Sequence, residues 1–365
     1  SEMCIRDRDE DFRGLTKKLR KNLLSLLGKS KNLYDCVPIQ GSGTFAVESM
    51  LGTFIPKDGK LLVLANGAYG LRAAQTMDYL NRDYNLLDKG DYLPPRGGEV
   101  ADILENDKAI THVLVIHCET SSGILNPLEE IGAVVKSAGR KLLIDSMSAF
   151  GAVPVDPEKI DFEAMVSSAN KCIEGVPGFG FVFAKLSALG AAKGNCHSLS
   201  LDVEAQWSAM EKSGQWRFTP PTHVVAAFLT ALEIHEEEGG VAGRGARYTN
   251  NRDVMVSGMR DLGFETLLDE RWLSPIIVTF FCPADPAFEF KKFYDLMKSE
   301  GYIIYPGKLT VVDSFRIGCI GRMDAHVMKG VVFAAKKALE TMGVESAAPP
   351  EAAFLERQRL SELQE

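Results

Sequence analysis

The fold is decided by the stretch LLIDSMSAFG, residues 142–151, where a short apolar run ends in an acidic residue, Asp145. An apolar run of this length predicts a strand that is buried on both faces of a sheet. Ligands bind at the carboxyl ends of strands in open α/β sheets, so Asp145 is expected at a ligand-binding edge. A buried carboxylate without a partner is costly, which predicts a cationic partner. The alternative is a carboxylate that caps the next helix.

Outward from this strand, short apolar segments alternate with segments of helical period between residues 12 and 185. This alternation predicts an α/β fold with a mostly parallel sheet covered by helices. The predicted strands are 61–65, 112–118, 141–144, 164–167 and 179–184, and the predicted helices are 12–27, 44–54, 70–80 and 128–138.

Beyond residue 240 the pattern becomes that of a smaller α+β unit, with its first helix predicted at 248–262. The preceding helical sequence is interrupted by Pro220 and Pro221 and ends at the pair Gly239-Gly240. A chain of 365 residues is long enough for two domains. We therefore divide it into an atypical tail (1–11), a large domain (12–240), a small domain (241–345) and a C-terminal tail (346–365) that we expect to be loosely ordered.

The composition is that of a globular protein, with 45% hydrophobic and 25% charged residues and a net charge of −8. This charge argues against a nucleic-acid partner, because phosphate contacts need clustered Lys and Arg. The seven cysteines include no CxxC pair and the six histidines no HxxxH pair, so neither a disulfide framework nor a metal site is predicted. We find no long apolar run and no signal peptide, so we expect no membrane association and a cytoplasmic location.

A glycine-rich loop, QGSGTFAVES at residues 40–49, precedes a predicted helix. Ser42, Gly43 and Thr44 would place amides and hydroxyls at the helix start, where unpaired N–H groups and the helix dipole attract a phosphate. A tight structural turn and a dinucleotide fingerprint are the alternatives. A dinucleotide site needs a strand before the glycines and an acidic residue after the next strand, but Pro38 and Asn66 occupy these places.

A lysine, Lys171, follows a predicted strand within VSSANKCIEGVPGFGFVFA, residues 166–184. By itself such a lysine is usually a solvated surface charge. Together with the glycine loop and Asp145, however, it completes the three groups that pyridoxal phosphate requires. These are a helix start for the phosphate, an anion for the pyridine nitrogen and an amine for the aldehyde. The three groups jointly predict a pyridoxal-phosphate site on one edge of the sheet.

Three further segments carry polar groups that suit such a site. In NGAYGLR, residues 66–72, Tyr69 could stack on a pyridine ring or could be a core tyrosine. In HCETSSG, residues 117–123, the hydroxyls could contact a ring oxygen or form a polar turn. In DSFRIGCIGRMD, residues 313–324, Arg316 points either to solvent or into the interdomain cleft, where its guanidinium could clamp a carboxylate or phosphonate.

Taken together, these stretches resemble the class V, fold type I, pyridoxal-phosphate aminotransferases from about residue 11 to residue 342. Within that family the chain is similar to the enzymes that exchange an amino group between 2-aminoethylphosphonate and pyruvate. The resemblance implies pyridoxal 5'-phosphate as cofactor and a reaction of phosphonate catabolism that gives phosphonoacetaldehyde and L-alanine. It rests on the stretches QGSGTFAVES, NGAYGLR, HCETSSGILNPL, LLIDSMSAFG, SSANKCIEGVPGFGFV and FRIGCIGRM.

The resemblance also implies a role for each matching residue. Lys171 resembles the Schiff-base lysine, which also moves a proton between cofactor and substrate, and Asp145 resembles the partner of the pyridine nitrogen. Arg316 resembles the clamp on the substrate carboxylate or phosphonate. Thr219 resembles a residue that reaches the cofactor phosphate of the neighbouring subunit, which implies an obligate homodimer. The other implied cofactor contacts are Ser42, Gly43, Thr44, Tyr69, Thr120, Met147 and Asn170.

Other functions remain open. The alanine–glyoxylate and serine–glyoxylate aminotransferases share nearly all of the cofactor residues. A cysteine desulfurase is disfavoured, because it would have histidines in place of Tyr69 and Asn170. A nicotinamide-dependent oxidoreductase would rest on the glycine loop alone. A protein that binds the cofactor without catalysis would fit the start of the chain, where SEMCIRDR, residues 1–8, replaces a family segment with Thr-Pro-Gly-Pro that lines the active-site mouth.

Overall fold

The structure, a computed structural model, describes residues 9–307 and 312–362. The first strands in chain order are β1 (Tyr34–Gly41), β2 (Lys60–Ala65), β3 (Tyr84–Asp88), β4 (Ile110–Ile116), β5 (Cys118–Glu119), β6 (Ile124–Leu125), β7 (Lys141–Asp145), β8 (Ala164–Ser168) and β9 (Gly178–Lys185). The central sheet has the order β1-β9-β8-β7-β4-β2-β3. Strand β9 runs antiparallel to both of its neighbours, whereas the other pairings are parallel. The predicted α/β fold with a mostly parallel sheet is thus confirmed.

Helices cover both faces of this sheet, because its strands are apolar on both sides. In β4, for example, Val113 and Val115 pack in one core and Leu114 packs in the other. None of the described helices is long and apolar enough to cross a membrane. The helices of this part are α1 (Glu10–Ser25), α2 (Gly43–Phe54), α3 (Ala68–Leu80), α4 (Gly97–Asn106), α5 (Leu128–Ser137), α6 (Leu186–Ala191), α7 (Val203–Ser213) and α8 (Thr222–Glu237).

After Gly239 the chain forms a smaller α+β unit. Its elements are α9 (Gly240–Asp261), β10 (Ile277–Phe281), α10 (Phe290–Ser299), β11 (Tyr305–Pro306), β12 (Ser314–Gly318), α11 (Ala325–Met342) and α12 (Glu351–Glu362). Strand β12 lies between β10 and β11 and is antiparallel to both. The core of the unit is rich in aromatic rings, among them Phe264, Phe280 and Phe315. A domain boundary at residue 240 stays a prediction.

The interpretation of Pro38 as an argument against a strand before the glycine loop is wrong. Pro38 lies within β1, which is at the edge of the sheet and, among the described strands, pairs only with β9. An edge strand tolerates proline, because the N–H groups on its outer side have no strand partner. Strand β1 therefore leads directly into the glycine loop. Asn66 follows β2 as predicted, and its amide donates to Oδ1 of Asn126 at 2.8 Å.

Further elements differ from the prediction, among them helix α4, which was not predicted. The edge strand β3 was not predicted, because its sequence YNLLD is short and none of its residues is fully buried. Helix α9 begins at Gly240 and not at residue 248, since the bonds from Arg244 to Glu238 and to the carbonyl of Cys172 offset the low helix propensity of the glycines around it. Residues 351–362 of the predicted C-terminal tail form α12, whose Phe354 and Leu360 pack against the core of the small unit, so this part is not loosely ordered. Residues 1–8 lie outside the described residues.

Candidate active site

The carboxyl edge of the central sheet carries the predicted chemistry. Asp145 is the last residue of β7, in register with Ile116 of β4 and Val166 of β8. Lys171 comes three residues after the end of β8. The glycine loop between β1 and α2 lies at the same edge, because β1 and β8 both run antiparallel to β9.

These segments enclose one cavity of about 470 Å³, which we call the cofactor cavity. Asp145 and Lys171 both face it, as the pyridoxal-phosphate interpretation requires. Eight of the predicted site residues line this cavity, namely Ser42, Gly43, Thr44, Tyr69, Asp145, Met147, Asn170 and Lys171.

One end of the cofactor cavity is the start of α2. The side chain of Ser42, the N-cap residue, forms no hydrogen bond with the first turn, so the amides of this turn have no side-chain cap. A Cβ atom on Gly43 would lie 2.4 Å from Sδ of Met147, so any larger residue there would have to displace the Met147 side chain. The helix start therefore offers N–H groups to an anion in the cavity.

Another wall of the cavity holds the buried carboxylate of Asp145. Burial raises the pKa of Asp145 to about 6, although its Oδ1 accepts a hydrogen bond from the amide of Met147 at 2.9 Å. The negative charge of Glu119 raises the pKa further, and the cations Arg72 and Lys171 lower it. The carboxylate would thus be stabilised by a further positive group in the cavity.

Sequence analysis missed Glu119, which holds the start of α3. Its buried carboxylate accepts hydrogen bonds from the amides of Tyr69 at 3.0 Å and Gly70 at 3.2 Å, and from the hydroxyl of Ser121 at 2.6 Å. Burial raises the pKa of Glu119 and these hydrogen bonds oppose the rise. Glu119 therefore fixes the backbone of Tyr69 at the cavity. No signal in the sequence distinguishes this carboxylate from one in a polar turn.

Arg72 is the second charged residue that was missed. It lies three residues after Tyr69 on α3, and its guanidinium carbon is 5.0 Å from the centroid of the Tyr69 ring. It lines the cofactor cavity together with Ser42 and Asp145. The spacing of three residues from Tyr69 places both side chains on one face of a helix, and this signal could have identified Arg72.

A second cavity, of about 490 Å³, lies beside the first and is called here the substrate cavity. Thr120 and Arg316 line it, and Tyr69 and Lys171 line both cavities. The two cavities therefore meet at the side chains of Tyr69 and Lys171.

Arg316 faces this cleft and is held there by two backbone carbonyls. Its Nη1 donates to the carbonyl of Thr120 at 2.8 Å, and its Nε donates to the carbonyl of Pro306 at 3.1 Å. Burial lowers the pKa of Arg316, and the nearby Tyr69, Glu119 and Tyr305 only partly oppose this effect. A carboxylate or phosphonate at the remaining N–H groups would offset this loss.

Four of the predicted residues are exposed, namely Ser42, Thr44, Asn170 and Thr219. Asn170 lines the cofactor cavity, and its Oδ1 accepts a hydrogen bond from Oγ of Ser168 at 3.1 Å. Thr219 lines neither the cofactor cavity nor the substrate cavity of its own chain. Its predicted contact is with a neighbouring subunit and stays a prediction.

The residues present fit pyridoxal phosphate. An uncapped helix start suits its phosphate, and a buried carboxylate suits its ring nitrogen. The amine of Lys171 has no hydrogen bond or ion pair with a described residue, so it is free to react with the aldehyde. The fold and the site together define a pyridoxal-phosphate-dependent transferase.

Comparison with known proteins identifies the family. The profile described as "Aminotransferase class-V" matches residues 83–286. The chain is 69% identical over 353 residues to the 2-aminoethylphosphonate–pyruvate transaminase of Rhizobium meliloti (strain 1021), covering 97% of this chain and 92% of that protein. It is 64% identical to 2-aminoethylphosphonate–pyruvate transaminase 1 of Paraburkholderia xenovorans (strain LB400), with 97% and 91% covered. The chain belongs to the class V aminotransferase family, which confirms the predicted enzyme class and its cofactor, pyridoxal phosphate.

Solved structures share the fold. The pyridoxamine–pyruvate aminotransferase from Mesorhizobium loti has a TM-score of 0.84 and 22% identity, covering 98% of this chain and 91% of that chain. The alanine–glyoxylate aminotransferase from Nostoc sp. has a TM-score of 0.84 and 19% identity, covering 91% and 88%. At these identities the likeness concerns the fold, and it confirms the predicted fold type.

In the cofactor-free protein, Asp145→Asn should remove a pH-dependent loss of stability. Because burial raises the pKa of Asp145 to about 6, the stability that the protonated form contributes is present at low pH and is lost as pH rises through about 6. We expect the free energy of unfolding of the wild type, relative to the variant, to fall by about 2 to 3 kcal/mol between about pH 4 and pH 8 in urea titrations. The exposed Asp102→Asn is the control. If the free energy of unfolding changed with pH in the same way in the wild type and in Asp145→Asn, the raised pKa of Asp145 would be contradicted.

Proposed function

We propose that this chain is an aminotransferase that moves the amino group of 2-aminoethylphosphonate to pyruvate, giving phosphonoacetaldehyde and L-alanine. The observation that carries the proposal is the position of Lys171 where the two cavities meet, with Asp145 in one and Arg316 in the other. The identity of 69% to the transaminase of Rhizobium meliloti supports the choice of these two substrates.

Pyridoxal phosphate, when bound, supplies an aldehyde that accepts the amino group and a ring that takes up an electron pair from the substrate carbon. Ser42, Gly43 and Thr44 would bind its phosphate through the start of α2, with Arg72 as a further cation in the same cavity. The other residues that would contact it are Tyr69, Thr120, Asp145, Met147 and Asn170.

Asp145 would hold the proton on the ring nitrogen. Burial alone raises the pKa of this carboxyl group, so the charged form is stabilised when a cation faces it. A carboxylate and a ring N–H⁺ in one buried site therefore favour each other's charged state, which keeps the ring able to take up electrons.

Lys171 would serve as the anchor of the aldehyde and then as the acid and base. With cofactor and substrate bound, the freed Nζ would take a proton from the substrate carbon that bears the amine and would return it on the other side of the transferred nitrogen. With pyruvate the same Nζ carries out these proton transfers in reverse. One amine at the junction of the two cavities can therefore serve both half-reactions.

Arg316 would bind the anionic end of each substrate in turn. A guanidinium presents a planar fork that matches either a carboxylate or a phosphonate. Its bonds to the carbonyls of Thr120 and Pro306 orient this fork in the substrate cavity. The net charge of −8 would repel both substrates at long range, so the local positive field of Arg316 and Arg72 is what attracts them.

We infer that the active unit is a homodimer in the cytoplasm. Phe45 and Val176, close in sequence to Thr44 and Lys171, are 51% and 50% exposed, as expected of a surface that a second copy covers. The exposed position of Thr219 supports its contact with the cofactor phosphate of the neighbouring subunit. The described cysteines are free thiols, in keeping with a reducing compartment.

The two half-reactions predict a reversible spectral change. Adding 2-aminoethylphosphonate to the cofactor-loaded protein should remove the visible absorption band of the bound cofactor, and pyruvate should restore it. NMR should detect phosphonoacetaldehyde and L-alanine in equal amounts. A strong preference for glyoxylate over pyruvate, with no turnover of 2-aminoethylphosphonate, would contradict the substrate assignment and favour an alanine–glyoxylate or serine–glyoxylate aminotransferase.

Arg316→Ala should raise KM for 2-aminoethylphosphonate and for pyruvate by about 100-fold each, because both lose the same ionic contact. Arg316→Lys should recover only part of the loss, since an ammonium group lacks the planar fork. Steady-state kinetics measure both effects. Arg359→Ala, which removes an exposed arginine of α12, is the matched control. KM values that stay at the wild-type level for both substrates would rule out Arg316 as the clamp.

Thr219→Ala should weaken cofactor binding by about tenfold, the equivalent of one lost hydrogen bond to a charged group. Co-expression of the Thr219→Ala chain with a Lys171→Ala chain gives mixed dimers. The one site that keeps Lys171 lies on the Thr219→Ala chain, so it has an intact Thr219 only if this residue comes from the other chain. Cofactor titration of the active sites in these dimers should then give the wild-type affinity. Affinity that stays weak in the mixed dimers would place Thr219 elsewhere.

A further inference from the structure

Lys171 lies on a turn whose shape depends on Glu174. The amide of Glu174 donates to the carbonyl of Lys171 at 2.8 Å, and the amide of Gly175 donates to the carbonyl of Ala169 at 2.9 Å. Glu174 has a φ of +61°, in the left-handed region that residues other than glycine rarely adopt. Such a conformation persists where the surroundings hold it in place.

The carboxylate of Glu174 is held by side chains of α9. Its Oε1 accepts hydrogen bonds from the hydroxyl of Tyr248 at 2.6 Å and from Nη2 of Arg247 at 2.9 Å, and it lies 3.4 Å from Nη1 of Arg244. The same Nη1 of Arg244 donates to the carbonyl of Cys172, within the turn. The turn is therefore attached to α9 through both its backbone and its side chain.

Two of these α9 residues also hold the loop that follows β12. Nη1 of Arg247 donates to the carbonyl of Gly321 and, at 3.1 Å, to that of Met323. The amide of Gly321 donates to the hydroxyl of Tyr248 at 3.3 Å. Because Arg316 lies on β12, Arg247 and Tyr248 join the turn that carries the amine to the strand that carries the guanidinium.

Charge balance makes this junction sensitive to the loss of one carboxylate. Arg244 and Arg247 each donate from Nε to an oxygen of Glu238 at 2.7 Å. Arg244 is fully buried, and its Nη2 has no hydrogen-bond partner among the described residues. Without the carboxylate of Glu174, two guanidinium groups would face one carboxylate, and the hydroxyl of Tyr248 would lose its acceptor. Both attachments to α9 would loosen.

We propose that Glu174 is a positioning residue that sets the separation between the amine of Lys171 and the guanidinium of Arg316, acting through Arg247 and Tyr248. The inference rests on the proposed function, in which Arg316 holds the anionic end of a substrate whose amine reacts beside Lys171. In 2-aminoethylphosphonate the reacting carbon is one carbon farther from the anionic group than it is in L-alanine. A change in the separation therefore affects the two half-reactions unequally.

Two variants of Glu174 test this role. Glu174→Gly removes the carboxylate while allowing a positive φ without strain. Glu174→Gln keeps an oxygen that can accept from Tyr248 and Arg247. Single-turnover absorbance on one cofactor-loaded preparation gives the rates with 2-aminoethylphosphonate and with L-alanine. We expect Glu174→Gly to change the ratio of these rates by about tenfold or more, since a misplacement on the order of 1 Å can cost about 100-fold in rate. Glu174→Gln should lie closer to the wild-type ratio.

A lower melting temperature with an unchanged ratio of rates in Glu174→Gly would overturn the proposal, because a merely structural role reduces the amount of folded enzyme and not the ratio. If Glu174→Gly does not fold, Tyr248→Phe is used instead, because it removes one hydroxyl of the same junction. The ratio of the two rates must then shift in Tyr248→Phe. A wild type that reacts with L-alanine but not with 2-aminoethylphosphonate would refute the proposed substrate alone. In that case the single-turnover rate with L-alanine tests whether Glu174 is a positioning residue. This rate must fall in Glu174→Gly and recover in Glu174→Gln.

Discussion

The buried carboxylate of Asp145 is the constraint on which the rest of the site depends. A carboxylate at the end of a strand that is covered on both faces is costly unless a positive group faces it. The amide of Met147 satisfies one oxygen, and the charges of Arg72 and Lys171 only partly oppose the rise in the pKa of Asp145 that burial causes. The cavity therefore suits a ligand that brings its own cation, as a protonated pyridine ring does.

The cofactor cavity and the substrate cavity are tied together by a few buried contacts. Glu119 holds the backbone of Tyr69, and the carbonyl of the next residue, Thr120, holds the guanidinium of Arg316. A two-residue segment of the chain thus positions the stacking ring on one side and the substrate clamp on the other. The junction around Glu174 does the same for the amine of Lys171. Positions of this kind must be held closely, because rates fall steeply when reacting groups are misplaced.

The sequence predicts most of the fold and the centre of the site. Asp145 and Lys171 are 26 residues apart, yet Asp145 ends β7 and Lys171 follows β8, and the carboxyl ends of these neighbouring parallel strands share one edge. Contacts between distant segments could not be predicted in this way. The role of Glu119 depends on where α3 begins, and the direction of Arg316 depends on the carbonyl of Thr120, 196 residues away in sequence. Pro38 was misjudged because its effect depends on whether the strand lies at an edge of the sheet.

Chemical trapping shows whether the amine of Lys171 meets the cofactor aldehyde in this cavity. The purified protein is loaded with pyridoxal phosphate and reduced with borohydride, and its peptides are analysed by mass spectrometry. We expect the added mass on the peptide that contains Lys171, and we expect 2-aminoethylphosphonate added before the reduction to prevent this labelling. Labelling of a different lysine, or labelling that the amine substrate leaves unchanged, would contradict this role of Lys171.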